Sequence, residues 1–261
     1  MPALRLIDAH CHLDFTEFDE DREAVLRRAS DQHITDIVIP GTIRRYWPRI
    51  DQLCEKHRNC HACYGLHPYW SASHTDADID ALRSFIETHD TVAVGECGLD
   101  FRSEHIPDDR ARQRQLAQFE AQLSIAVELE LPVVIHAVKS TQQVIDMLKD
   151  FPGITGMMHS YSGSLEQAGQ LIDMGFYISI GSIVSYQRAS KLRQVAGKIP
   201  LQAMLLETDA PDQPGSDHHG ERNEPAYLSE TVRSIAQLRD ESVTVIASQT
   251  TANACSLFGI D

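Results

Sequence analysis

Eight short β-rich runs, each followed by a helical pattern, limit this chain more than any other feature of its sequence. They fall at "LRLIDAHCH" (4–12), "DIVIPG" (36–41), "CHACYGLH" (60–67), "TVAVGECGL" (91–99), "PVVIHA" (132–137), "ITGMMHS" (154–160), "FYISIG" (176–181) and "AMLLETDA" (203–210). Strands that alternate with helices pair in parallel, because a parallel pair needs a long crossover. Eight such units in 261 residues fit a (β/α)8 TIM barrel, read here as a single domain over 1–261, with an open doubly wound sheet as the alternative. No Gly/Pro-rich linker divides the chain. The turn-rich stretch 209–225 follows the last strand, where barrels carry their site loops, so it is read as bordering a site.

Two helices have explicit ends. Over 107–130, Pro107 is placed at the first helical position, Asp108 and Asp109 suit the N-terminal dipole, and Leu116, Phe119, Leu123, Ala126 and Val127 form an apolar stripe. In "SLEQAGQLIDMG", Ser164 and Gln167 make a capping box and Gly175 ends the helix. Two more helices are expected over 224–240 and 242–256.

The first run also carries chemistry. Side chains alternate along a strand, so Asp8, His10 and His12 are expected on one face, Asp8 deeper as a partner behind the site or at the core bottom and not a ligand, and Ile7, Ala9, Cys11 and Leu13 on the other. Taken alone the His pair means little, since chance gives about 0.6 His-x-His pairs in a chain this rich in histidine. Position gives it weight: His67, Glu96, His136, His159, Glu207 and Asp209 all fall near carboxyl ends of other strand-like runs. A barrel aims those ends at one pocket, and ionisable groups inside apolar strands are costly unless paired or metal-bound. Four histidines and two carboxylates with no thiol suit Zn²⁺, Mn²⁺ or a related divalent ion, and one carboxylate can bridge two ions. Such a site supports hydrolysis, with Asp209 able to act as base as well as ligand.

Other signals are weaker. Cys60 and Cys63, flanked by His57 and His61, lack a second Cys pair at zinc-finger spacing. Cys11 and Cys97 are read as small core side chains, and His218-His219 as a solvated pair. The six cysteines are irregularly spaced, there is no apolar N-terminal region of the signal-peptide kind and no long apolar run, so a cytoplasmic chain with reduced thiols and no membrane association is expected. A formal charge of −15 opposes binding along a polyanion, which confines any nucleic-acid contact to a local patch.

The segments "IDAHCHLDF", "GLHP", "VGECGLDF", "VVIHA", "HSYSGS", "LLETDAP", "RNEPAYL" and "TTANACSLFGI" resemble, in this order, the TatD family of metal-dependent hydrolases, and "GSIVSYQRAS" with "LLETDAP" is most similar to its YjjV branch. The resemblance implies an amidohydrolase-type barrel with one or two divalent ions (Zn, Mn or Mg) and hydrolysis of phosphodiesters in DNA. It assigns His10, His12 and Asp209 to one ion, His136 and His159 to the other, and Glu96 as the bridge. His67 is assigned to the substrate phosphate, and Glu207, Arg222 and Asn223 to the pocket border. Where many relatives carry Arg two residues after the fifth-strand histidine, this chain has Val138 followed by Lys139, and Lys139 is the expected phosphate contact; Tyr161 stands where relatives usually have Phe.

The expected activity is 3′-5′ exonuclease-like cleavage at DNA ends or short oligonucleotides by a monomer without an obligate protein partner. Catalytic roles are expected for Asp209, Glu96 and His67, with His67 and Lys139 or Arg222 meeting the developing charge. The rival readings are hydrolysis of a small phosphoester, amide or lactone in the same barrel, and a non-catalytic metal-binding protein.

Overall fold

The computed structural model describes residues 5–261. Eight parallel strands pair in chain order: β1 (Leu6–Asp8), β2 (Ile34–Pro40), β3 (Cys60–Tyr64), β4 (Ala93–Asp100), β5 (Val133–Val138), β6 (Gly156–Met158), β7 (Phe176–Ile180) and β8 (Met204–Leu206). The circle is joined by backbone bonds just past the ends of β1 and β8. Ala9 N–H donates to Leu206 O (2.9 Å), Asp209 N–H to His10 O (2.9 Å) and His12 N–H to Ala210 O (2.8 Å). The expected barrel is the observed one, and the open sheet is ruled out. Residue 4 of the first expected strand lies outside the described residues.

Nine helices among the described residues surround the sheet: α1 (Arg22–Asp31), α2 (Trp47–Lys56), α3 (Asp76–Ile86), α4 (Asp109–Glu128), α5 (Thr141–Leu148), α6 (Leu165–Asp173), α7 (Ser190–Lys198), α8 (Leu228–Ala236) and α9 (Val243–Phe258). None is long and apolar enough to cross a membrane. The reciprocal Ser164–Gln167 cap starts α6, and Gly175 follows its end with φ +88°. α4 begins later than Pro107 suggested, because Asp108 is its cap and accepts from Ala111 N–H at 2.7 Å. Its stripe is also rotated. Val127 is 48% exposed, whereas Gln115 and Gln122 are buried beside Phe119 and Leu123. Amide side chains sit there because strand ends and loops behind the barrel mouth offer backbone groups that need partners.

Two apolar layers follow from strand alternation. The inner one gathers Ile7, Val38, Cys63, Ala93, Val134, Met157 and Leu205, with Phe258 and Ile260 from the end of the chain. The outer one packs Ile37, Ile39, Val94, Val133, Ile135 and Ile178 against helical residues such as Phe119, Val144 and Leu171. Cys60 belongs to the outer layer and Cys63 to the inner, so these thiols face opposite ways and cannot share an ion. All six cysteines are free.

The first strand departs from strict alternation. Its register shifts between Leu6 and Ile7, and regular pairing ends at Asp8. Ile7 and Ala9 join the inner layer, whereas Cys11 and Leu13, past the end of that pairing, join the outer one. Asp8 is turned away from the histidines that follow it. Its carboxylate accepts from Thr208 N–H (2.9 Å), Thr208 O–H (2.6 Å) and His10 N–H (3.3 Å), clamping the chain after β8 to the chain after β1.

Candidate metal centre

The carboxyl ends of the strands open into a cavity of about 630 Å³, walled by His12, His67, Glu96, His136, His159 and Asp209 among others. Glu96 stands in the middle, 1% exposed, and its two oxygens face different groups of imidazoles. Oε2 lies 3.2 Å from His10 Nε2 and 3.5 Å from His12 Nε2. Oε1 lies 3.0 Å from His136 Nδ1 and 3.8 Å from His159 Nε2. Asp209 Oδ1 closes the figure at 3.5 Å from His10, 3.7 Å from His12 and 3.7 Å from His159.

Local backbone explains how these atoms meet. His10 and His12 lie two residues apart on an extended segment, and their Nε2 atoms approach to 3.3 Å. Asp209 follows the clamp at Thr208 and takes a left-handed φ of 58°, as do Ser160 (43°) and Gln213 (52°) on the same rim. Beside His136, Gly98 has φ +129°, and a Cβ there would come within 2.1 Å of His136 O. Only glycine lets β4 and β5 close up at this point.

The electrostatics favour a cation. Glu96 Oε2, His10 Nδ1 and His12 Nδ1 are buried without a hydrogen-bond partner, and Nε2 lone pairs and carboxylate oxygens crowd one another. Burial opposes charge on His159, yet Glu207, Asp209 and Glu96 push its imidazole up to about 10. Burial likewise opposes ionisation of Glu96, but the surrounding His67, His10 and His159 hold it well below the usual carboxylate range. In the same buried cluster, His12 is pushed well below the ordinary imidazole value by burial and by its neighbour His10. A His/carboxylate set that draws in positive charge while leaving a neutral imidazole is the donor chemistry of a divalent site. His10, His12 and Glu96 offer ligand atoms within 4.8 Å of one another, as do His10, His159 and Glu207.

Carboxylates behind the rings fix which nitrogen faces inward. Glu207 Oε2 lies 3.0 Å from His159 Nδ1, and Asp100 Oδ2 lies 3.1 Å from His136 Nε2. A carboxylate only accepts, so a proton sits on each of those outer nitrogens; His136 Nδ1, 3.0 Å from Glu96 Oε1, and His159 Nε2 face the centre, where a bound cation would take the place of a second proton. Both acids are themselves anchored: Glu207 accepts from Ser179 O–H and Ser160 N–H (2.6 Å each), and Asp100 takes a two-pronged bond from Arg102. Glu207 thus stands behind a histidine rather than on the pocket border.

His67 has the opposite tautomer. Its Nδ1 accepts from Tyr69 N–H at 2.9 Å, and burial, outweighing Glu96, pushes the imidazole down to about 4. The neutral ring therefore carries its proton on Nε2, 3.0 Å from Glu96 Oε1. Proximity alone would group His67 with Glu96 and His136 as a ligand set. With a hydrogen on the inward nitrogen it is a donor, not a ligand.

The remaining expected substrate contacts lie elsewhere. Lys139 is exposed and off the cavity wall, which is formed at that point by Val138. Arg222 donates to Asp21 (2.8 Å) and Glu17 O (2.6 Å) and covers the Phe18 ring. Asn223 is buried and donates to Thr208 O and Asp212 O (2.8 Å each), so it shapes the loop without reaching the cavity. His218 is not a free surface group, because it stacks on Tyr227 at 3.5 Å and meets Glu221 and Glu230.

The wall instead includes Arg102, Phe15, Trp70 and Gln213, which sequence reasoning passed over. Asp100 was missed as well, although "GLDFR" shows an acid and a base two residues apart right after the fourth strand. Gln115 and Gln122 brace the same rim from α4. Gln115 bonds both backbone groups of Asp100, and Gln122 both of Leu66. Gln213 donates to Asp209 Oδ2, leaving Oδ1 toward the histidines.

Comparison with known proteins places the chain in a family. The family model described as TatD related DNase matches residues 7–259. This chain belongs to that family. As a TatD-family member it falls in the metal-dependent hydrolase class, and its His/Glu cluster is able to hold a metal ion. It is 36% identical to the metal-dependent hydrolase YjjV of Escherichia coli K12, over 98% of each chain. It is 34% identical to the 3′-5′ ssDNA/RNA exonuclease TatD of Pantoea ananatis, over 98% of this chain and 100% of that one. The crystal structure of the E. coli YjjV protein superposes with a TM-score of 0.92 at 35% identity, covering 99% of both chains.

Proposed function

We propose that this chain hydrolyses phosphodiester bonds at the 3′ ends of single-stranded DNA, removing nucleotides one at a time. The observation that carries the reading is the division of Glu96, with one oxygen facing His10 and His12 and the other facing His136 and His159. Such a carboxylate suits a bridge between two divalent ions, one held with His10, His12 and Asp209 and the other with His136 and His159. Ions bound there supply Lewis acidity toward a phosphoryl oxygen and lower the pKa of a water.

The chain's own groups do the rest. Burial, outweighing His159 and His10, pushes the Asp209 carboxyl up, which suits it to accept the proton of the attacking water. Gln213 keeps that carboxylate oriented. His67, neutral and protonated on Nε2, donates to a phosphate oxygen as charge develops. Among the described residues Arg102 is the one Lys or Arg on the cavity wall; its Nε and Nη2 are held by Asp100, which leaves Nη1 to meet the anionic backbone there. Cleavage at ends is supported by the −15 net charge, which leaves no basic track for a long duplex. The Pantoea ananatis relative, named as a 3′-5′ ssDNA/RNA exonuclease, supports the direction and the single-strand preference.

The test is a time course with metal-loaded protein on a 5′-labelled single-stranded oligonucleotide, its duplex and a panel of small phosphoesters, lactones and amides. A ladder shortening from the 3′ end, faster on the single strand, is expected. Turnover confined to the small substrates would replace the reading with its small-molecule rival.

A further inference from the structure

Beside the main cavity lies a smaller one of about 180 Å³, lined by Asp14, Phe15, Thr16, Glu17, Tyr46, Arg49 and Trp70. Two of these residues, Phe15 and Trp70, also wall the main cavity, so the two spaces adjoin. Both touch the chemistry. Phe15 stacks on His12 with ring centres 4.5 Å apart and planes at 15°, and Trp70 meets His67 edge-on at 5.5 Å. The side cavity therefore begins one ring's thickness from a candidate metal ligand and from the candidate phosphate donor.

Its chemistry is unusual for a surface hollow on so acidic a chain. Three aromatic side chains converge there; Arg49 is on the wall too, but its guanidinium is paired with Asp19. Asp14 adds a buried polar group: it is 2% exposed and its Oδ1 has no hydrogen-bond partner. That oxygen is closed off from the cavity as well, so the aromatic rings and not Asp14 form the cavity's contact surface. Three aromatic side chains around a space of this size fit one flat ring.

We infer that the side cavity is a binding site for one unpaired nucleobase, that of a nucleotide flanking the phosphate in the main cavity, stacked among Phe15, Tyr46 and Trp70. The inference rests on the proposed single-strand hydrolysis and adds to it a physical cause. A base held in a pocket for one ring cannot stay paired, so duplex ends must fray before they bind. Stacking tolerates any base because every base has a π face. Tyr46, which lines the side cavity but not the main one, becomes a base-stacking residue outside the wall of the proposed metal site.

The experiment compares two single-stranded oligonucleotides that differ only in the nucleotides flanking the terminal phosphodiester, ordinary in one and base-free in the other, on the parent and on Tyr46→Ala. The parent is expected to cleave both, with a KM about tenfold or more higher for the base-free strand, in line with the loss of one stacked base. Tyr46→Ala is expected to raise KM for the ordinary strand by a similar factor, and removal of the base then has little further effect. Equal KM for both strands in the parent, or equal losses on both in Tyr46→Ala, overturns the base site while leaving the hydrolytic reading intact. Absence of cleavage of either strand by the metal-loaded parent overturns the hydrolytic reading itself.

Discussion

The two halves of the metal centre are built by different means. On the Oε2 side of Glu96, His10 and His12 have bare outer nitrogens and are placed by backbone: Asp8 holds His10 N–H, and the chain after β8 bonds His10 O and His12 N–H. On the Oε1 side, His136 and His159 come from separate strands, and each ring leans on a buried carboxylate, Asp100 or Glu207. Neighbours on one extended segment inherit their spacing from the backbone, so their rings need little further support. Rings brought together from distant parts of the chain need side-chain anchors to hold both orientation and tautomer.

That contrast can be broken most directly at its centre. Glu96→Ala removes both oxygens, and metal analysis is expected to show loss from both halves, with turnover falling by more than the roughly 100-fold that loss of an outer partner costs. Two retained equivalents of metal in this variant would dissolve the picture of a shared carboxylate.

Smaller effects should separate the halves. Glu207→Gln and Asp100→Asn are each expected to weaken one metal site by roughly 10–100-fold and spare the other, read by calorimetric titration of the metal-free protein. Equal weakening of both sites would mean that the anchors serve the whole cluster.

The halves should also respond oppositely to pH. Burial, working against the Thr208 hydrogen bonds, pushes Asp8 up to about 7. Its folded pKa exceeds the unfolded value of about 3.9, so the stability it contributes is present below that value and fades as pH rises toward 7. For Asp100, burial acts upward, but His136 and Arg102 outweigh it and hold the carboxyl below its ordinary range. Its contribution is present above about 3.9 and disappears as pH falls. Melting temperatures of the metal-free protein should therefore lose part of their decline from pH 4 to 7 in Asp8→Asn, and part of their acid-side decline in Asp100→Asn. Parallel curves for parent and variants would refute both signs.

The smallest effect concerns Lys139, exposed and off the cavity wall. Lys139→Ala is expected to change stability by no more than about 0.5 kcal/mol and to leave KM for an oligonucleotide unchanged. A several-fold rise in KM would restore the phosphate contact that the sequence suggested.

The barrel was legible because each strand carries its own local signature, and parallel pairing follows once strands alternate with helices. The histidines and acids at the centre were legible for a related reason: charged groups inside apolar runs stand out without any knowledge of what they face. Errors arose wherever a residue's role depended on a distant partner. Asp8, expected to lie deeper than His10 and His12 and not to bind an ion, clamps Thr208, a partner that local alternation cannot name. Arg222 reads as a phosphate contact until Asp21 takes its guanidinium. Gln115 and Gln122 interrupt an apolar stripe and gain meaning only from the unpaired backbone groups they meet across the fold.

Sequence alone therefore determined the repeated strand–helix plan and the kinds of donor atoms gathered at the barrel mouth, since both follow from local pattern and side-chain chemistry. Tertiary structure alone decided which nitrogen of each histidine faces inward, which acids stand behind the rings, and that a ring-sized hollow opens beside His12 and His67. Those properties belong to contacts among residues far apart in the chain, and a tautomer or a cavity exists only once such contacts have formed.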